Sequence, residues 1–204
     1  MKPAVTRRAI LGGLGTLAMT QALKADADII DVAARPGATS GTLRYRTLVF
    51  PCMVGRSGIV ADKHEGDGGT PKGFFPLREV RYRPDRLAVP PKTGLPLFPT
   101  LQSDGWCDDP ADLAYNRLVH LPYQADAETM WRDDHAYDAL AVIGYNDAPV
   151  VPGAGSAIFL HVMRTDDAGQ PRPTAGCVSL KLEHLLQVLA AASPATRIRI
   201  RFAV

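Results

Sequence analysis

The sequence predicts a mainly β fold, a β-rich α+β domain with about two short helices, and three observations carry that expectation. Short apolar or alternating runs of strand length recur along the chain, from "TLRYRTLVF" at residue 42 to "TRIRIRFAV" at the end. The 18 glycines and 17 prolines are spread between these runs and form no proline-rich tract, which breaks the chain into many short elements. Strand and helix patterns do not alternate regularly, so a parallel doubly wound sheet is not expected. At 204 residues and 46% apolar composition, the chain is long enough for one ordinary core.

Residues 1–27 differ in kind from the rest. Arg7 and Arg8 precede the apolar stretch "AILGGLGTLAM", and "ALKADA" follows with small residues. That layout is expected of a twin-arginine export signal cleaved near Ala25 or Ala27, with the mature protein periplasmic. A membrane anchor would need about 20 apolar residues, and no later segment comes close, so no membrane span is expected in the mature form. Residues 28–40 read as a linker and 41–204 as the folded domain.

Within that domain, Leu43, Tyr45 and Thr47 alternate against Arg44 and Arg46, as in a strand with one wet face, and "SGIVADK" is expected as its partner. "EGDGGTPKGFFPL" is a glycine-rich loop feeding a strand that continues through "REVRYR". Residues 84–125, including "SDGWCDDPADLAYNRLVHLP", read as a long irregular insertion or lid. "DAETMWRDDHAYD" is expected to hold a short helix capped by Asp126. "ALAVIGYN" and "SAIFLHVM" are compact apolar runs, hence strands buried on both faces. Leu182, Leu185, Leu186 and Leu189 then stand at i, i+3, i+4 and i+7, an amphipathic helix stopped by Pro194. In the closing strand Ile198, Ile200, Phe202 and Val204 alternate with three arginines.

Charge excludes one class of partner. The 23 basic residues nearly balance 21 acidic ones, and no long basic run concentrates the excess, so nucleic acid is not an expected partner. The three cysteines are an odd number for an oxidising compartment, leaving at least one thiol unpaired within the chain. Cys52 and Cys107 are able to pair, or to be two separate buried thiols.

Cys177 carries the candidate chemistry. A free thiol is mostly protonated at neutral pH, so a nucleophilic cysteine needs a base beside it. His161 lies sixteen residues upstream, and if "SAIFLHVM" and the strand after "TAGC" adjoin, imidazole and thiol converge. Gly176 would let a substrate carbonyl approach the backbone, with amides from Thr174 to Cys177 as oxyanion donors, Gly176 foremost. The alternative for both residues is an ordinary place in the core. Thr174, Tyr145, Arg164, Trp106 and Asn116 are candidate substrate contacts, with Tyr115 and Asn146 nearby. Arg164 suits a carboxylate, while the aromatic residues are equally suited to packing. No metal is expected: His64, Glu65, Asp67, His120, His135 and His161 include no HExxH helix, and no two of these histidines lie at short ligand spacing, which argues against a zinc peptidase.

The pattern His161-x15-Cys177 with "TAGC" resembles the signature of the L,D-transpeptidase catalytic domain, the YkuD family. "GDGGTPKGFFPL" is similar to that family's TPxGxF segment and "GSAIFLH" to its histidine-bearing strand. The resemblance spans about residues 41–204 and implies a mixed β-sandwich-like fold without a cofactor. It implies that Cys177 attacks a peptidoglycan stem peptide with His161 as base, oriented by a backbone carbonyl near Val162. The resulting thioester would pass to an amine of a neighbouring stem. Three positions depart from the family pattern: Ala175 stands where a histidine is usual, Ser179 where asparagine or arginine is common, and Val162 where glycine or serine follows the histidine. These departures bear on the acceptor and so on the cross-link formed, 3-3 or 1-3. The "DGWCDDPADLAYNR" insertion resembles that of a divergent branch whose cross-links involve the first stem residue. Hydrolysis of the same acyl-enzyme, as an L,D-carboxypeptidase or amidase, and a non-catalytic wall-binding module are the competing expectations.

Overall fold

The structure is a computed structural model and describes residues 28–203. The expected export signal lies outside the described residues. The chain forms fourteen strands and one helix among those residues. β1 (Ile29–Ala34), β2 (Ser40–Tyr45) and β3 (Leu48–Met53) come first, followed by the short β4 (Ile59–Val60) and β5 (Thr70–Pro71). The ten-residue β6 (Gly73–Tyr82) is succeeded by β7 (Leu97–Pro99), β8 (Asp104–Cys107), β9 (Leu118–His120) and β10 (Ala127–Thr129). β11 (Ala139–Ile143), β12 (Phe159–Val162), β13 (Val178–Leu180), α1 (Leu182–Ala191) and β14 (Arg197–Phe202) complete the domain.

The main sheet has nine strands in the order β11-β12-β13-β3-β2-β1-β14-β6-β7. β6 belongs to both ends of that order. Its first half pairs with β14 (Ile198 opposite Phe75) and its second half with β11 (Ala141 opposite Val80), so the ladder returns on itself and leaves few open edges. One core fills the inside, where Ile30, Val32, Leu43, Leu160, Leu180, Ile198 and Ile200 meet the buried stripe Leu185, Val188 and Leu189 of α1. Tyr45 fastens the end of the helix, its hydroxyl donating to Ala191 O at 2.9 Å. Along β12 the inward Leu160 and Val162 alternate with the outward Phe159 and His161. That alternation produces a second apolar cluster, outside the main sheet, of Trp106, Met130, Tyr137, Leu140, Val142, Phe159 and Cys177.

The mainly β expectation holds, and the structure corrects several elements. Residues 28–40 are no linker: β1 runs parallel to β14 and antiparallel to β2, with Ile30, Val32 and Ala34 turned into the core. "TLRYRTLVF" is a complete hairpin, because Arg46 (φ 53°) and Thr47 turn the chain between β2 and β3, whereas "SGIVADK" supplies β4, which pairs with β5. The insertion is ordered, since β8, β9 and β10 form a separate three-stranded sheet. The expected second helix is absent from the described residues. β10 pairs with β8 there, and Tyr137, which donates to Glu128 at 2.8 Å, and Met130 are buried against Phe159 and its neighbours instead of lying along one helical stripe. The helix expected in "LEHLLQVLAAASP" is present as α1, and the strands expected in "ALAVIGYN", "SAIFLHVM" and "TRIRIRFAV" are present as the shorter β11, β12 and β14.

Candidate active site

β12 and β13 lie side by side and parallel, with His161 opposite Ser179 and Leu160 opposite Val178. Val178 and Leu180 turn into the core, so Cys177 and Ser179 take the other face, which is also the face of Phe159 and His161. Cys177 therefore stands beside Phe159, diagonal to His161 on the same face. Both residues are only 6% exposed, yet both open on one cavity of about 330 Å³ between the outer face of β12–β13 and the insertion. That volume is at the small end of ligand clefts.

Backbone groups fix the two side chains. His161 Nδ1 lies 2.8 Å from Val162 O, and because a carbonyl only accepts, Nδ1 carries the proton and Nε2 is left as the basic nitrogen. Tyr137 packs edge-on against the imidazole with ring centroids 5.4 Å apart. Burial in this apolar setting lowers the His161 pKa from 6.5 to about 4. The Cys177 sulfur lies between two groups of one strand end: it donates to Ala157 O at 3.2 Å and accepts from Phe159 N–H at 3.3 Å. Burial, with the negative charge of Glu128 second, raises its pKa from 9.0 to about 12, while the Phe159 amide opposes that shift. At neutral pH the pair rests as neutral thiol and neutral imidazole, not as an ion pair.

The loop bearing Cys177 is clamped from two sides. Thr174 Oγ1 and Thr70 Oγ1 both donate to Cys177 O, at 2.6 and 3.2 Å, and Thr70 also accepts from Gly55 N. Thr70 opens the "TPKGFF" segment, which gives that segment a role in holding the cysteine turn. Gly176 has φ 152°, and a Cβ there would lie 2.9 Å from Gly69 O and 3.2 Å from Ile158 Cδ1. Its missing side chain thus admits a neighbouring loop and not the expected substrate carbonyl. Its N–H donates to Thr174 Oγ1 at 3.1 Å, so the expected oxyanion donor is engaged in the resting structure.

The remaining expected contacts divide between two places. Thr174 and Arg164 line the Cys177 cavity; Arg164 bonds Asp134 at 2.9 Å. Trp106, Asn116 and Tyr145 line a second cavity of about 540 Å³, where their polar atoms bond within the protein. Trp106 packs edge-on against Phe159 and donates from Nε1 to Asn116 Oδ1 at 3.0 Å. Tyr145 donates to Ala154 O, and Asn146 to Val151 O and Gly155 O.

Several groups at the site escape a reading of the sequence, because distant segments bring them there. Arg132 joins Asp134 and Glu128, and Tyr137 donates to Glu128, so the segment that follows the insertion roofs the cavity with a charge network. Arg132 holds the Asp134 carboxyl well below the usual carboxylate range, with Arg164 adding to the effect, while burial raises the Glu128 carboxyl. Glu65 accepts from Tyr115 and Ser156 hydroxyls, tying the β4–β5 loop to the insertion and to the turn before β12. Ser179 Oγ is fully buried without a partner and lines the cavity beside His161. Among the described residues no three metal-ligating side chains converge. Cys52, Cys107 and Cys177 are all free thiols, with Cys52 in the main core and Cys107 in the insertion. No described helix is long and apolar enough to cross a membrane.

The family model of the L,D-transpeptidase catalytic domain matches residues 38–200. No curated protein and no solved structure matches the chain.

Proposed function

The chain belongs to the L,D-transpeptidase catalytic domain family, and on that premise we propose that it is a cysteine acyltransferase that cross-links peptidoglycan stem peptides. The observation that carries the reading is the shared face of β12 and β13, from which a thiol and an imidazole with a free Nε2 open on one cavity. The neutral resting pair fits a base that takes the thiol proton only as the sulfur meets its substrate.

In the proposed cycle His161 Nε2 takes the Sγ proton while sulfur adds to the carbonyl carbon of a donor stem. The backbone amide of Cys177 faces the developing oxyanion, and Gly176 N–H joins it by exchanging its bond to Thr174 Oγ1. The C–N bond then breaks, and imidazolium returns the proton to the leaving amine. A second stem amine, deprotonated by the same ring, adds to the thioester. The C–S bond breaks, and the proton passes back to the sulfur. Arg164 at the cavity wall suits a stem carboxylate. The substrate lies outside the cytoplasmic membrane, and the twin-arginine segment of residues 1–27 would deliver the protein there.

The wild type and Cys177→Ala, each produced in a bacterial host lacking such enzymes, decide the matter by mass spectrometry of released muropeptides. New 3-3 or 1-3 dimers that depend on Cys177 support the reading, and shortened stems without dimers indicate hydrolysis of the same thioester. Identical profiles from the two proteins refute it. A carbapenem adduct on intact mass that disappears in Cys177→Ala identifies the attacking atom independently.

A further inference from the structure

We propose that Asn116, in the insertion, is a positioning residue that sets the place and protonation of the Cys177 sulfur through the backbone conformation of Ala157. The four hydrogen bonds of its amide are all made inside the protein. Oδ1 accepts from Trp106 Nε1 at 3.0 Å and from Ala157 N at 3.1 Å, and Nδ2 donates to Tyr145 O at 3.0 Å and Asn146 O at 2.8 Å. An asparagine amide offers two donors and two acceptor lone pairs, so none is left for a ligand. The backbone N–H of Asn116 donates to Cys107 O at 2.8 Å, and its φ of 58° places it in the left-handed region that asparagine tolerates.

What Asn116 holds is strained and adjacent to the sulfur. Ala157 has φ 52°, a conformation costing about 1–2 kcal/mol for an ordinary residue, and neighbouring contacts must impose it. Its N–H is taken by Asn116, its carbonyl receives the Cys177 thiol, and two residues on the Phe159 N–H meets the same sulfur. One side chain of the insertion thus anchors the amide on one side of the Ala157 α-carbon, while the carbonyl on the other side, in the next peptide unit, accepts from the thiol, which favours the protonated form and directs its hydrogen toward that carbonyl. Once a substrate engages the site, His161 competes for that proton. The sulfur is meanwhile held by Phe159 at the end of β12.

The inference deepens the acyl-transfer reading, and its principal test does not depend on that reading. Iodoacetamide labelling of the full chain, followed by peptide mass mapping, reads all three free thiols separately. Cys107 reports on the insertion, Cys52 on the main core and Cys177 on the site. In Asn116→Ala, release of the Ala157 carbonyl is expected to lower the Cys177 titration midpoint by about one unit, so labelling at pH 8 rises about tenfold. Cys52 and Cys107 should label as in the wild type. An unchanged Cys177 rate, or a rise at all three sites together, overturns the proposal. Asn116→Ser, too short to reach Ala157, should behave alike and provides a milder change should the alanine variant fail to fold. The wild type supplies a further measurement: the Ala157 amide should be protected from hydrogen exchange, and exchange at the rate of an unstructured peptide overturns the proposal. If the protein proves to be a transpeptidase, kcat of Asn116→Ala should fall about tenfold or more while KM stays within about twofold. Loss of muropeptide activity in the wild type would sink the acyl-transfer reading and leave the labelling result standing.

Discussion

Gly176 illustrates how a residue chosen for one reason is retained for another. Beside a cysteine it suggests an opening for substrate, but in the fold it lets the Cys177 turn pass within van der Waals contact of the β4–β5 loop. Gly176→Ala is therefore expected to cost about 1–3 kcal/mol in stability, from a Cβ against Gly69 O combined with φ 152°. Urea unfolding measures this, and a variant as stable as the wild type would show that the turn has room to relax. Thr174 is similar. Taken as a substrate contact, it has already committed its only O–H donor to Cys177 O and accepts from Gly176 N–H, so it shapes the turn that bears the sulfur. The His161 partner was legible by resemblance alone, and the structure supplies it as Val162 O.

At the scale of elements, the insertion is the part that converts a β domain into a site. Trp106 of its three-stranded sheet covers Phe159 on the outward face of β11 and β12, and Tyr137, beyond that sheet, covers His161. Trp106 is the main fastener, edge-on to Phe159 and bonded to Asn116. Trp106→Ala is expected to destabilise the protein by about 3–5 kcal/mol, as large aromatic truncations in packed clusters do. Labelling of Cys107 under native conditions would rise as the sheet opens more often. A loss below about 1 kcal/mol would mean that the insertion rests on the charge network of Arg132, Asp134 and Glu128 instead. The strands that bear His161 and flank Cys177 were legible because their apolar runs are short, bounded and buried on both faces. The strands of the small sheet were not, because strands of three or four residues carry too few alternations to register a period.

For the whole molecule, the buried neutral pair links stability to pH at both extremes. The folded pKa of His161, about 4, lies below its ordinary 6.5, so the unfolded chain takes up a proton that the folded one refuses. That part of the stability is complete above pH 6.5 and is lost as pH falls to about 4, at up to about 1.4 kcal/mol per pH unit. Cys177 and Cys52 are both raised from 9.0 to about 12, so their contribution is complete below pH 9 and is lost as pH rises toward 12. Urea midpoints from pH 4 to 10 should trace both limbs, and His161→Gln should flatten the acid one. An unchanged acid limb in that variant would place the titration elsewhere, with the carboxylates. Direct parallel pairing makes β1 and β14, the first and last of the described strands, neighbours, so loss of β1 would expose the flank of β14 and unseat the core.

The sequence by itself determined the fold class, a helix that begins at Leu182 and the strands that flank Cys177 and His161, and it singled out those two residues as the candidates for chemistry. Local periodicity and a short motif carry that information within a few tens of residues. Only the tertiary structure decided that 29–34 is an inner strand, that Gly176 and Thr174 serve the turn, and that Asn116 reaches the sulfur through Ala157. Those facts depend on contacts between segments far apart in the chain: Glu65 with Ser156, Thr70 with Cys177, Asn116 with Ala157. A hydrogen bond across such a distance leaves no period or spacing in the sequence, because closure of the sheet, not chain proximity, brings its two ends together.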